Sequence, residues 1–76
     1  MNDLVNSPQH YNKHRWEAIE IIEDVVKDSP DPVTGHLVGC ALKYLLRCWY
    51  KSDPRMDLAK ATWYLNRAVA RLSDAD

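Results

Sequence analysis

The apolar positions of the chain repeat with a helical period in three separate segments. In the first segment Ile19, Ile22 and Val26 follow one another at intervals of three and four residues. The third segment has the most regular spacing, over Leu58, Ala61, Thr62, Leu65, Ala68, Val69 and Leu72. Intervals of three and four place side chains on one face of a helix. The pattern predicts an N-terminal arm followed by three helices, at residues 1–11, 12–27, 33–51 and 54–72.

Capping residues and prolines indicate where these helices begin. Asn12 is a favoured N-cap residue, and Tyr11 and Trp16 then occupy the two positions of a hydrophobic staple. Asp53 and Pro54 are a favoured N-cap and a favoured first helical residue. The proline-rich segment 28–32 separates the first helix from the second. Because the turn before Pro54 is short, we expect the second and third helices to pack antiparallel.

The size and composition of the chain indicate a small all-α domain that associates with itself. A chain of 76 residues forms one domain, a three-helix bundle over residues 1–76. A domain of this size buries only about 60–65% of the surface of its unfolded chain. Yet 46% of its residues are hydrophobic, and it has three Trp and four Tyr. The excess of apolar residues favours a homo-oligomer, in which leftover apolar faces are buried between subunits.

The charge and cysteine content of the chain indicate which ligands it can bind and in which cellular compartment it is expected. The formal net charge is −1, whereas non-specific nucleic-acid binding needs a basic surplus, so an anion site must be local. Cys40 and Cys48 lie eight residues apart in one predicted helix, about 12 Å, which is too far for a disulfide between them. With no signal peptide and no apolar run long enough to span a membrane, we expect a soluble cytoplasmic protein.

The clearest candidate for chemistry is a basic stripe on the second helix. Lys43, Arg47 and Lys51 recur at every fourth position beside large apolar and aromatic residues, and His36 and Gly39 extend this face by one to two turns. One interpretation is a phosphate site, with a bidentate contact from the arginine and a point charge from lysine. The other interpretation is a solvated face whose cations pair with Asp57 or with acidic residues of the first helix.

Further candidates lie in the arm and on the third helix. His10 and Tyr11 stand together in a polar arm, where the histidine is suited to donate to a phosphate and the tyrosine to stack on a base. Asp57 lies in the first turn of the third helix, where a carboxylate interacts favourably with the helix dipole. Its second role would be to orient the cations of the basic stripe. Lys60 follows it on the same helix.

Metal-binding and catalytic motifs are absent from the sequence. His10 with His14, and His36 with Cys40, have a spacing that zinc ligands can use, but no C-x-x-C or H-E-x-x-H motif is present. There is also no P-loop and no G-x-S-x-G motif. We therefore expect no metal, no cofactor and no catalytic residue.

These residues together resemble a small phage-encoded helical family that is labelled a domain of unknown function. The resemblance covers residues 7–70 and is carried by His10-Tyr11, Glu17, Gly39, Lys43-Tyr44, Arg47, Lys51, Asp57-Leu58, Lys60-Ala61 and Tyr64-Leu65. The chain departs from the family pattern at Cys40, where asparagine is usual, and at 14–16. A related domain occurs in a nucleotide kinase of short-tailed phages that lacks a P-loop.

The resemblance implies nucleotide binding and adds weight to the phosphate interpretation of the basic stripe. Small helical phage proteins that sequester nucleotide immune signals offer an analogy. The leading hypothesis is therefore a non-catalytic phage protein that sequesters a nucleotide, such as a cyclic or ADP-ribose-type defence signal. The alternatives are a nucleoside monophosphate kinase-like enzyme with Asp57 near a metal, and a module that inhibits a host protein.

Overall fold

The computed structural model describes residues 15–51 and 53–74, and these form three helices. In chain order they are α1, Ala18–Val26; α2, Pro32–Arg47; and α3, Pro54–Asp74. No strand occurs in the described ranges, which confirms the predicted three-helix, all-α fold. The predicted arm at 1–11 lies outside the described residues.

The central helix is α2, and it contacts both α1 and α3. Contacts at the two ends of α2 show that α3 runs antiparallel to it. Arg47, at the end of α2, bonds to Asp57 near the start of α3, whereas Arg71 near the end of α3 bonds to Asp31 at the start of α2. The predicted antiparallel packing of these two helices is therefore confirmed.

The buried core between α2 and α3 is built mostly from small side chains. Its buried apolar residues are Leu37, Ala41, Cys48, Ala61 and Ala68. No large side chain is fully buried in the described part of the chain. Alanines allow two helices to approach closely, but they fill little volume. Most large apolar residues consequently lie outside this core, and thirteen of them are exposed.

α1 begins later than the sequence pattern predicts. Residues 15–17 are not helical, and the helix starts at Ala18, so the predicted start at Asn12 is wrong. The carboxylate of Glu20 accepts a hydrogen bond of 3.2 Å from the backbone N–H of Glu17, which satisfies one donor at this helix end. Trp16 therefore precedes the helix, where it is 60% exposed, and does not occupy the predicted staple position.

α2 begins at a well-formed N-cap and ends earlier than predicted. Asp31 accepts a hydrogen bond of 2.8 Å from the backbone N–H of Thr34, and Pro32 is the first helical residue. The last turn tightens, with the N–H of Cys48 bonded to the carbonyl of Leu45. The helix ends at Arg47 rather than at the predicted residue 51.

α3 begins as predicted. The carboxylate of Asp53 accepts a hydrogen bond of 3.1 Å from the backbone N–H of Arg55, and Pro54 is the first residue of the helix. No helix in the described part of the chain is long and apolar enough to cross a membrane.

Candidate functional site: a cationic and aromatic cluster

Three cationic side chains converge on one tyrosine ring at the contact between α2 and α3. The guanidinium carbon of Arg47 lies 4.8 Å from the centre of the Tyr44 ring, and the ammonium groups of Lys60 and Lys43 lie 5.3 Å and 5.8 Å from it. Cations within about 6 Å of a ring centre are attracted by its quadrupole. We call this group, with Tyr64, the cationic–aromatic cluster: Lys43, Tyr44, Arg47, Lys60 and Tyr64.

Aromatic contacts extend the cluster along α3. The rings of Tyr44 and Tyr64 are stacked, with centres 6.0 Å apart and planes 15° apart. Trp63 meets the Tyr64 ring edge to face at 5.0 Å, and the guanidinium of Arg67 lies 5.4 Å from the Trp63 ring centre. Trp63 is 55% exposed, so a large part of this aromatic surface faces solvent.

Arg47 is held by a bidentate ion pair with Asp57. Its Nε donates to Oδ2 of the carboxylate and its Nη2 to Oδ1, both at 3.1 Å. The Asp57 side chain is 5% exposed and that of Arg47 is 19% exposed, so the pair is largely removed from water. Paired and hydrogen-bonded geometry of this kind is what allows a carboxylate to be buried.

This ion pair changes the role predicted for Arg47. The bidentate edge expected to face a phosphate faces Asp57 instead, so the carboxylate-pairing interpretation is confirmed for this residue. Asp57 does orient one cation of the basic stripe, as expected. Because both of its oxygens accept hydrogen bonds from Arg47, it is poorly placed to hold a metal, which was its role in the enzyme alternative.

Lys43 and Lys60 differ from Arg47 in this respect. Neither ammonium group forms an ion pair with a carboxylate among residues 15–51 and 53–73, and both side chains are exposed. They extend from different helices toward the same ring. The cluster therefore presents two positive charges to solvent that its own carboxylate does not neutralise.

A groove runs beside the cluster, between α1 and α2. It has a volume of about 470 Å³ and is open to solvent. Gly39 lies in its wall, and a Cβ atom there would meet Ile22 and Val26 of α1 at 3.5 and 3.6 Å. Lys43 lines one part of the groove and also belongs to the cluster. The lining residues are Ile22, Val26, Ser29, Pro32, Gly35, His36, Gly39, Cys40 and Lys43.

Cys40 links the groove to the cluster. Its Sγ lies 3.5 Å from Nε2 of His36, and both residues line the groove. On its other side the thiol faces Tyr64 and raises the pKa of that phenol, since a neighbouring thiolate would oppose a phenolate; partial burial of the phenol acts in the same direction. No group of three residues suited to a metal occurs among the residues that the structure describes.

The family DUF3310, which is described as a protein of unknown function, matches residues 5–66 of the chain. The chain belongs to this family. All nine predicted site residues lie within the part that matches DUF3310, and the last two turns of α3 lie beyond it. No curated protein and no solved structure matches the chain.

The structure brings six of the nine predicted residues to one side of α2. Lys43, Arg47, Asp57 and Lys60 meet at the cluster, and His36 and Gly39 lie in the adjoining groove. Lys51 does not join them. Because α2 ends at Arg47, a spacing of four residues no longer places Lys51 on the same helix face. His10 and Tyr11 lie outside the described residues.

Sequence reasoning missed the aromatic residues at the centre of the cluster. Tyr44 and Tyr64 were not among the nine predicted site residues, although both belong to the motifs that carried the family resemblance. The alternation of tyrosine with Lys43, Arg47 and Lys60 is the signal that could have identified them.

A second ion pair also escaped the sequence reading. Arg71 donates from Nη2 to Asp31 at 3.0 Å and from Nε to the hydroxyl of Thr34 at 3.2 Å. Hydrogen bonds from Thr34, together with the charge of Arg71, lower the pKa of the Asp31 carboxyl below its ordinary value. This contact joins the end of α3 to the N-cap of α2.

Proposed function

We propose that the protein binds a nucleotide-type anion at the cationic–aromatic cluster. The observation that carries the proposal is the convergence of Lys43 and Lys60 on the Tyr44 ring, with no carboxylate among the described residues pairing with either ammonium group. Two ammonium groups that both lie within about 6 Å of one ring centre, without a compensating carboxylate, attract a phosphate or pyrophosphate group. Their placement on rigid helices reduces the entropy lost on binding.

The surroundings favour an organic phosphate over a simple ion. Trp63 offers an exposed indole beside the cluster, and stacking of a base on an aromatic side chain contributes about 1–3 kcal/mol. On the other side, Lys43 borders the groove, whose volume of about 470 Å³ is in the range of small-molecule sites. A nucleotide with its phosphates at the two lysines could use either neighbour for its base.

We further propose that the protein acts by sequestration in a phage context, without turnover. The family resemblance supports the nucleotide class and the phage setting. Engagement of both Asp57 oxygens by Arg47 supports sequestration over phosphoryl transfer, because the carboxylate proposed to act near a metal is already occupied. The ligand would be a nucleotide defence signal of the cyclic or ADP-ribose type.

Isothermal titration with a nucleotide panel tests this proposal. The panel comprises AMP, ATP, a cyclic dinucleotide, ADP-ribose and inorganic pyrophosphate. We expect at least one member to bind stoichiometrically, and Lys43→Gln combined with Lys60→Gln to weaken its binding by about a hundredfold, since a hydrogen bond to a charged group contributes about 1.5–3 kcal/mol.

The matched control is Lys27→Gln, which removes a lysine that pairs with Asp24 at the end of α1. This variant should bind within about twofold of the unsubstituted protein, because the charge it removes is already compensated. Absence of binding across the panel, or binding unaffected by the double substitution, would refute the proposal. Phosphorus NMR of the same mixtures detects turnover, which would replace sequestration by an enzyme.

A further inference from the structure

An uncovered apolar stripe runs along α3 on the side opposite the cluster. We call it the apolar seam, and its residues are Leu58, Thr62, Leu65, Val69 and Leu72. Each of them is exposed, from 38% at Leu58 to 61% at Val69. The spacing alternates between four and three residues over about 21 Å of helix. This is the seven-residue repeat with which one helix packs against another.

The seam continues across the hairpin onto α2. Leu45 of α2 is 39% exposed, and Trp49 in the turn after α2 is 70% exposed. The partly exposed Leu42 and Val38 lie one and two turns before Leu45 on the same side of the helix. An isolated exposed leucine needs no explanation, but a continuous apolar face over two helices does. Within the described part of the chain, the apolar residues of this face on α3 remain exposed, as do Leu45 and Trp49.

The polar and charged groups around the seam are arranged as in a dry interface. Thr62 is its one polar residue, and its hydroxyl already donates to the backbone carbonyl of Leu58 at 2.9 Å, so burying it would leave no unsatisfied donor. The positions that flank the seam on its outer edge are Ala59, Asn66 and Ser73, which are small and uncharged. A second helix could therefore approach without burying a charge.

The spacing of leucines along the seam indicates that this second helix belongs to a copy of the same chain. Leu58 and Leu72 lie seven residues on either side of Leu65. A twofold axis at Leu65 in an antiparallel pair thus places Leu58 of one copy opposite Leu72 of the other, with the two Leu65 side chains meeting on the axis. A self-complementary patch is what a twofold interface requires.

We infer that two copies of the chain pair antiparallel through the apolar seams of their α3 helices. Each copy contributes α2 and α3, so the dimer core is a four-helix bundle. The pairing leaves both cationic–aromatic clusters on the outside, facing away from each other. This inference is independent of what the cluster binds.

Sedimentation equilibrium of the full chain tests the pairing. We expect a species of twice 8.8 kDa at micromolar concentrations. Leu65→Glu should convert it to a folded monomer, weakening association by about a hundredfold or more because a charge would be buried at the axis. The control Ala70→Glu adds the same charge on α3 away from the seam and should remain dimeric. A monomer at all concentrations would overturn the inference. It would indicate that residues 1–14 or another protein, rather than a second copy, cover the seam.

Cysteine crosslinking tests the orientation without relying on a destabilised variant. Leu65→Cys places two thiols on the proposed axis, so mild oxidation should give a disulfide-linked dimer on a non-reducing gel. Ala70→Cys should stay monomeric on that gel, as should the unsubstituted chain with its native Cys40 and Cys48. A Leu65→Cys protein that does not crosslink faster than the Ala70→Cys protein would overturn the twofold arrangement.

Discussion

The two faces of the α2–α3 hairpin differ in composition: one is cationic and aromatic, and the other is apolar. On one face, Lys43 and Lys60 surround a tyrosine ring and one ion pair is buried beside them. On the other face, Leu65 and Val69 stand in an apolar stripe without a charged residue. The contrast shows how a domain of 76 residues can carry two surfaces. A thin alanine core between the helices leaves both flanks available for binding.

The largest expected effect comes from breaking the ion pair behind the cationic face. Asp57→Ala leaves Arg47 without its carboxylate in a largely buried position, so we expect the free energy of unfolding to fall by about 3 kcal/mol. Urea unfolding followed by circular dichroism measures it. Association through the apolar seam raises apparent stability with concentration, so all variants are compared at one protein concentration.

The matched control for this prediction is Asp24→Ala, which breaks the exposed pair with Lys27. An exposed pair contributes about 0–1 kcal/mol, so the control should change stability little. If Asp57→Ala were no more destabilising than Asp24→Ala, the ion pair would not hold the cationic face together. Combining Asp57→Ala with Arg47→Ala should cost less than the sum of the two single substitutions, because each removes the same contact.

A smaller effect on stability distinguishes the role of Gly39 in the groove from its role in packing against α1. Gly39→Ala places a Cβ at ordinary contact distance from Ile22 and Val26 and removes a glycine from a helix interior, so it should stabilise the fold by about 0.5–1 kcal/mol. Because Gly39 lines the groove, the same change should weaken any ligand whose base enters there. Thermal unfolding and the nucleotide titration measure the two effects.

Gly35→Ala is the comparison for that variant. Its Cβ would lie 2.6 Å from Oγ and 3.2 Å from Cβ of Ser29, so the serine must move and give up its hydrogen bond to Asp31. We expect this variant to be less stable than the unsubstituted protein. A stabilising effect at Gly35, or a destabilising one at Gly39, would contradict this description of the α1–α2 contact.

The smallest effect concerns the N-cap of α2 and depends on pH. The pKa of Asp31 is lowered in the folded protein, so its charge adds stability above the ordinary carboxyl range of about 4, and this contribution disappears as the pH falls through the lower folded-state value. Asp31→Asn keeps a capping residue but removes the charge. Its stability deficit should be present at pH 7 and should shrink as the pH falls below about 4.

Asp28→Asn is the control for the pH measurement, because it removes a neighbouring exposed carboxylate that makes none of these contacts. Unfolding by urea at several pH values compares the two variants. A deficit for Asp31→Asn that persists unchanged at pH 2 would show that the charge is not its source.

The helices were largely predictable from the sequence because their signals are local. Asp53 and Pro54 are adjacent, and the N-cap that they predict is present. The predicted start of α1 was wrong because Asn12 is a better capping residue by type than Glu17. The hydrogen bond between Glu20 and the backbone of Glu17, which caps the later start, depends on side-chain geometry that residue type does not give. The sequence also could not show that the final turn of α2 tightens before Lys51.

The site was less predictable because its deciding contacts join different helices. Spacing along α2 identified Arg47, but only packing against α3 shows that Asp57 takes its bidentate edge. Arg71 and Asp31 lie forty residues apart and share no sequence signal. The spacing placed the seam residues on one helix face together with Ala61 and Ala68, whereas the two alanines are buried and Leu65 is exposed.

Native mass spectrometry of the unsubstituted chain and of Leu65→Glu, each with the nucleotide panel, tests most directly whether the two faces act separately. We expect a dimer carrying two unchanged nucleotides for the unsubstituted chain. For the variant we expect a monomer that carries one nucleotide with the same affinity. A nucleotide that binds only to the dimer, or an unsubstituted chain that remains a monomer without any adduct, would contradict it.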